Sequence, residues 1–227
     1  MTDETMSENG VAAMQARVED YFTELARLPE QTVATDGKGA ELAMADLFPI
    51  MIERFARIRD GAGKLMFIGN GASASIASHM ALDFSKNGKV PALAFNDAAA
   101  LTALSNDEGY DQVFAKQIEY FAARDDLLIA ISSSGNSENI IKAVRAARAK
   151  GCDVLTLSGL GADNKLRQLG DYNLFVPSGE YGFVEVVHGG LIHALLDIFM
   201  GWSAQTGLWN RSMATPADEL LKKRGAA

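Results

Sequence analysis

The chain has 227 residues, is 48% hydrophobic and 22% charged, and carries a formal net charge of −8. That length suits one α/β domain with tails, and that charge excludes a general attraction to nucleic acid or to an anionic membrane, so an anionic ligand must be held by a local site against the global field. The single cysteine, Cys152, excludes an intramolecular disulfide and fits a reducing, cytoplasmic setting; the acidic start MTDETMSENG is the opposite of a signal peptide, and no apolar run approaches the roughly 20 residues of a membrane span.

In chain order, residues 1–10 read as a disordered lead. Apolar residues at helical spacing predict a helix over 14–28, a polar break follows at PEQTVATDGKG, and a second helix covers 41–61 with Pro49 kinking or dividing it. Strands and helices then alternate. KLMFI (64–68) is a strand, and GNGASAS leads into a helix reaching about Lys86. PALAF (91–95) is a strand, AAALTALS a short helix, and residues 111–123 a further helix. DLLIAIS (126–132) is a strand, followed by a helix from Ser137 to Lys150. DVLTLS (153–158) and YNLFV (172–176) are strands separated by a helical turn at NKLRQL, and the last long helix covers 183–202. The remainder, residues 204–227, is a polar tail. Strands that are continuously apolar and alternate with helices predict a parallel sheet covered on both faces, an α/β three-layer sandwich. Ligands of such sheets bind beyond the carboxyl ends of the strands.

Two strand ends have unusual chemistry. Gly69 to Ala74 fits G-x-G-x-x-A, a dinucleotide-like pattern, but the acidic residue that would hold the ribose, Asp97, comes 28 positions after Gly69 rather than about 20. A strand-to-helix turn of small residues explains that loop equally well. The second loop is richer. Ser132, Ser133, Ser134 and Ser137 offer four hydroxyls within six positions, and Gly135 permits positive φ and close backbone approach. A helix begins there, so free amides and the positive end of its dipole favour a phosphate. One serine would suffice as a cap; four exceed that need. The missing Gly-Lys-Ser/Thr excludes a Walker loop and leaves a phosphomonoester, such as a sugar phosphate, as the natural ligand.

The three histidines, His79, His188 and His193, all fall in the two helices that would flank these loops. His79 and Asp83 are i and i+4 on one helix face, and Glu185 and His193, eight apart, are about 80° around an ideal helix. Two histidines and two carboxylates suit a divalent cation such as Zn²⁺. His188 reads as a hydrogen-bonded packing residue.

Strand, GNGAS, helix, strand, ISSSGNS, helix resembles the sugar isomerase (SIS) domain. GNGASASIASHMALDF, SNDEGYDQVF, ISSSGNSENIIKAVRAARAKG and EVVHGGLIHALLD resemble the bacterial sedoheptulose-7-phosphate (phosphoheptose) isomerases, over roughly residues 15–203. The resemblance implies a five-stranded parallel sheet in a SIS domain over 63–203. It also implies N-terminal helices (11–62) packed on that domain and at an oligomer interface, and a homotetramer with active sites between subunits. Carried over by position, Ser73, Ser132, Ser133, Ser134 and Ser137 contact phosphate, and Asn70, Gly71 and Asp107 line the sugar. His79 matches a zinc-binding histidine and His193 the catalytic histidine. Asp83 stands where the family has a catalytic glutamate, and Glu185 where it has glutamine. The implied reaction is the isomerisation of sedoheptulose 7-phosphate to D-glycero-D-manno-heptose 7-phosphate through a cis-enediol, in heptose biosynthesis toward lipopolysaccharide. Asp83 would be the base at carbon and His193 the proton carrier at oxygen; alternatively, zinc held by His79, Asp83, Glu185 and His193 would polarise the carbonyl instead, since Asp83 does not readily serve as both ligand and base. Three alternatives stand beside it: a non-catalytic SIS protein bridging a replication initiator, an isomerase of a shorter sugar phosphate, and a sugar-phosphate sensor.

Overall fold

Continuous apolar runs bury both faces of a strand, and the central strands show this. β3 (Leu65–Gly69) and β5 (Leu127–Ser132) are buried at every position. In the computed structural model, which describes residues 8–61 and 63–204, they pair in parallel with β4 (Ala92–Ala94), β6 (Asp153–Ser158) and β7 (Tyr172–Phe175) in the order β4-β3-β5-β6-β7. The expected five parallel strands are present.

Two more strands extend them. β1 (Val33–Asp36) and β2 (Glu41–Leu42) form a hairpin, and β1 adds antiparallel to β7. The segment read as a polar break is therefore part of the sheet. Asp36 makes the turn: its carboxylate accepts from the amides of Lys38 and Ala40 at 2.8 and 2.9 Å, and its own amide donates to the Ala40 carbonyl. Asn173 of β7 ties the added strand down, because it is buried and donates to the carbonyls of Asp36 and Gly170 while accepting from Thr156 and Gly170.

Alternate strand residues point to opposite faces. Leu65, Phe67, Leu127, Ile129, Leu155 and Leu157 meet α2 (Met44–Arg59), α3 (Ala72–Lys86) and α7 (Tyr181–Phe199) on one side. Met66, Ile68, Leu128, Ala130 and Val154 meet α5 (Val113–Phe121) and α6 (Glu138–Ala149) on the other. α4 (Ala98–Asp107) follows β4, and short 3-10 turns occupy Tyr110–Gln112 and Leu166–Gln168.

Three differences from the expected elements have physical causes. α1 runs Glu8–Gln31, so residues 8–10 belong to a helix rather than a lead; the apolar seam that begins at Val11 carries the helix back to them. Residues 1–7 and 205–227, which include most of the expected lead and tail, lie outside the described residues. Pro49 stands inside α2 without dividing it: the buried face Leu47, Met51, Ile52, Phe55, Ala56 and Ile58 holds the helix on the core despite the missing amide. α7 is 19 residues long with mean hydropathy 1.4, long and apolar enough by length and composition to cross a membrane. Eight of its residues, from Val184 to Phe199, are buried in this fold, so its apolar face serves the core.

Candidate active site: a serine pocket and a histidine-carboxylate cluster

Three helices begin at the carboxyl edge of the parallel strands. Ser73 is the second residue of α3, Ser137 is the N-cap residue of α6, and Tyr181 opens α7. Their side chains, with Asn70, Ser132, Ser133, Ser134 and Glu185, line a pocket of about 150 Å³. Each helix N-terminus presents about half a positive charge, so about +1.5 is directed at this space.

The hydroxyls are left available. Ser137 caps α6 by position, yet its side chain makes no bond to its own helix; Ser132 Oγ donates to Ser137 Oγ at 3.3 Å instead. Ser133 Oγ is buried without a partner among the described residues. A buried hydroxyl without a partner is costly in a pure capping turn and sensible in a ligand site.

The loop geometry is fixed from behind. Gly135 has φ +61°, and a Cβ there would stand 2.0 Å from Asn164 Oδ1. Asn164 is itself buried, donating to the Ser158 hydroxyl and the Gly161 carbonyl, while the Leu166 amide donates to the Gly135 carbonyl at 2.9 Å. At the other strand end, a Cβ on Gly69 would lie 2.5 Å from the Ser73 backbone, so glycine lets α3 start against β3. Asn70 is clamped by a reciprocal amide pair with Asn139 (2.9 and 3.0 Å) and by the Tyr110 hydroxyl at 3.0 Å.

Further along the same helices lies a second group. His79, Asp83 and His193 each place a ligand atom within 4.8 Å of the others. His79 Nε2 is 3.4 Å from Asp83 Oδ2, and Asp83 Oδ1 accepts from Asn87 at 3.3 Å. Two imidazoles and a carboxylate this close together could hold a divalent metal ion.

Several expected placements need correction. Glu185 lines the serine pocket and does not join the histidine cluster. The 80° angle between Glu185 and His193 is favourable, but eight residues of rise separate them by about 12 Å along α7, and both side chains lean the same way, so the gap is not closed. Asp107 is exposed at the end of α4, accepts from Asn106 at 2.8 Å and does not line the pocket. Gly71 is the N-cap residue of α3 and is exposed. Tyr181, Asn139, Tyr110 and Asn164 were not singled out from the sequence. Tyr181 was findable, since it stands one helical turn before Glu185.

His188 is a packing residue, as expected: it is wholly buried, and the ring Nε2 bonds the Ser158 carbonyl at 3.1 Å. Cys152 is buried, and burial pushes its thiol up to about 11, which makes it inert.

The chain matches the SIS domain family over residues 20–159. It belongs to that family. It is 37% identical over 197 residues to a phosphoheptose isomerase of Solidesulfovibrio magneticus, covering 84% of this chain and 89% of that one. Among solved structures, a phosphoheptose isomerase from Neisseria gonorrhoeae superposes with a TM-score of 0.69 at 32% identity, over 82% of this chain and 99% of the other. One from Francisella tularensis gives the same TM-score at 28% identity, over 82% and 97%.

Burial depresses the His188 pKa to about 4, against 6.5 in an exposed chain; the bond to the Ser158 carbonyl only partly offsets this. Between those values the unfolded chain binds more protons, so stability is full above about pH 6.5 and falls as pH drops toward 4, by on the order of 3 kcal/mol. Urea unfolding of the protein and of His188→Gln at about pH 7 and about pH 5 should show the smaller loss in the variant. Parallel losses would contradict a neutral buried His188.

Proposed function

We propose that this SIS protein isomerises sedoheptulose 7-phosphate to D-glycero-D-manno-heptose 7-phosphate. The observation that carries the reading is the placement of a phosphate-type pocket and a histidine-carboxylate cluster on the same two helices at a fixed separation. Six residues from Ser73 to His79 on α3 and eight from Glu185 to His193 on α7 rise about 9 and about 12 Å. Seven bonds join the carbonyl carbon of sedoheptulose 7-phosphate to its phosphorus, and at about 1.2 Å of advance per bond they span about 8.5 Å. A pentulose 5-phosphate, with five bonds, spans about 6 Å. The longer sugar fits with phosphate in the pocket and carbonyl at the cluster. The phosphoheptose isomerase names of the relatives agree with it.

In this reading the serines and the three helix N-termini hold the phosphate, and that remote binding energy positions the reacting carbons. Asp83 takes the proton from the carbon beside the carbonyl, and His193 moves protons at oxygen. Asn87 and His79 orient the Asp83 carboxylate, which is one methylene shorter than a glutamate. Alternatively, His79, Asp83 and His193 would hold a Zn²⁺, which when bound supplies polarisation of the carbonyl in place of the free Asp83 base. Assembly of this cluster favours chemistry over a purely bridging role.

The working unit in this proposal is a homotetramer with active sites at subunit interfaces, in the cytoplasm. On α1, Val11, Met14 and Val18 repeat with spacings of three and four and are 43 to 49% exposed, a coiled-coil-like seam that a partner helix would cover, while Tyr21 one step on packs its ring against Phe183 of α7. Leu82 and Val186, 60 and 56% exposed, flank the site residues on α3 and α7. The single cysteine, Cys152, buried and unpaired, is consistent with a reducing compartment.

The purified protein should convert sedoheptulose 7-phosphate, and Asp83→Asn and His193→Ala should each lower kcat by about 10² to 10⁴ with folding retained. Full activity in either variant removes that residue from the mechanism. Light scattering should return four times the 24.3 kDa chain mass; a monomer would contradict the tetramer.

A further inference from the structure

A larger cavity, about 370 Å³, lies at the hairpin edge of the sheet. It sits between the β1–β2 turn, which supplies Thr35 to Gly39, and the β6–β7 loop, which supplies Ala162, Arg167 and Gln168. It shares no lining residue with the serine pocket and is within the size range of small-molecule sites.

Its chemistry is cationic in an acidic chain. Lys38 comes from the turn and Arg167 from the loop, and neither forms a salt bridge among the described residues. Asp36 is the one carboxylate in the lining. Its Oδ1 already accepts the amides of Ala40 and Lys38, and these bonds, with the nearby Lys38 charge, hold its carboxyl below the usual range. The lining balance is therefore about one positive charge. Arg167 is held in place before any ligand arrives. Its guanidinium stacks over the Phe175 ring at 4.4 Å and donates to the Ala162 carbonyl at 3.0 Å, and its amide donates to Asn164 Oδ1 at 3.0 Å. A guanidinium has five donors in a planar fork, and among the described residues only one of them is engaged, so the rest can meet phosphate oxygens. Gln168 and Thr35 add neutral polar groups suited to hydroxyls.

We propose that this cavity is a second anion site, taking a small phosphate monoester that also carries hydroxyls, with the phosphate between Lys38 and Arg167. The loop that carries Arg167 also backs the serine loop, through Asn164 against Gly135 and the Leu166 amide on the Gly135 carbonyl. One segment thus supports both sites.

Calorimetric titration of the full chain with inorganic phosphate tests this. Ser137→Asp puts a carboxylate into the serine pocket while remaining a good N-cap. Lys38→Glu reverses a charge on a turn whose hydrogen bonds use only backbone and Asp36. The protein should bind two phosphates per chain and Ser137→Asp one. Lys38→Glu should weaken the second site at least about tenfold, and the double variant should bind none. Circular dichroism confirms that each variant is folded. No phosphate on folded Ser137→Asp, or an unchanged titration for Lys38→Glu, overturns the proposal. Failure of the serine pocket alone would look different: Ser137→Asp would then titrate like the parent.

Discussion

Three helix N-termini meet at one edge of a parallel sheet, and the rest of the site depends on that meeting. A dianionic phosphate is repelled by a chain of net charge −8 at long range. It can be held only where local dipoles and hydroxyls outweigh that field. The starts of α3, α6 and α7 supply about half a charge each, and Ser73, Ser132, Ser133, Ser134 and Ser137 line the pocket, the Ser133 hydroxyl buried without a partner among the described residues. Glu185 works against this, placing a carboxylate in the same lining. Its position early in α7 suits the helix dipole, so it favours the fold while opposing the dianion.

The sheet makes the convergence unavoidable. Parallel strands point their carboxyl ends the same way, and each following helix starts there. β3 and β5 are neighbours, so their loops face one another, and the amide pair of Asn70 and Asn139 bridges them. α3 and α7 then run side by side from the pocket, carrying His79, Asp83 and His193 two turns further on. Helix rise becomes a ruler for substrate length.

Much of this was legible in the sequence because the signals are local. The continuous apolar runs mark the buried strands, and four serines in six positions around Gly135 exceed what capping needs. His79 and Asp83 announce themselves at i and i+4. What stayed hidden depends on distance or on weak patterns. The β1–β2 hairpin is short and polar, and its stability comes from Asn173, far away in the chain. Asn164 shapes the serine loop from 29 residues beyond Gly135 with no periodic signature. Glu185 shares a helix side with His193, but rise along α7 puts it in the serine pocket instead. Asp107 sits in a segment that resembles the family, yet its side chain is used locally by Asn106.

The most direct measurement is a crystal structure of the protein with sedoheptulose 7-phosphate. The account predicts phosphate oxygens on the hydroxyls of Ser133 and Ser137 at the start of α6, with the sugar carbonyl beside Asp83 and His193. A sugar phosphate bound with its phosphate elsewhere, or a serine pocket still empty at saturating ligand, would contradict it.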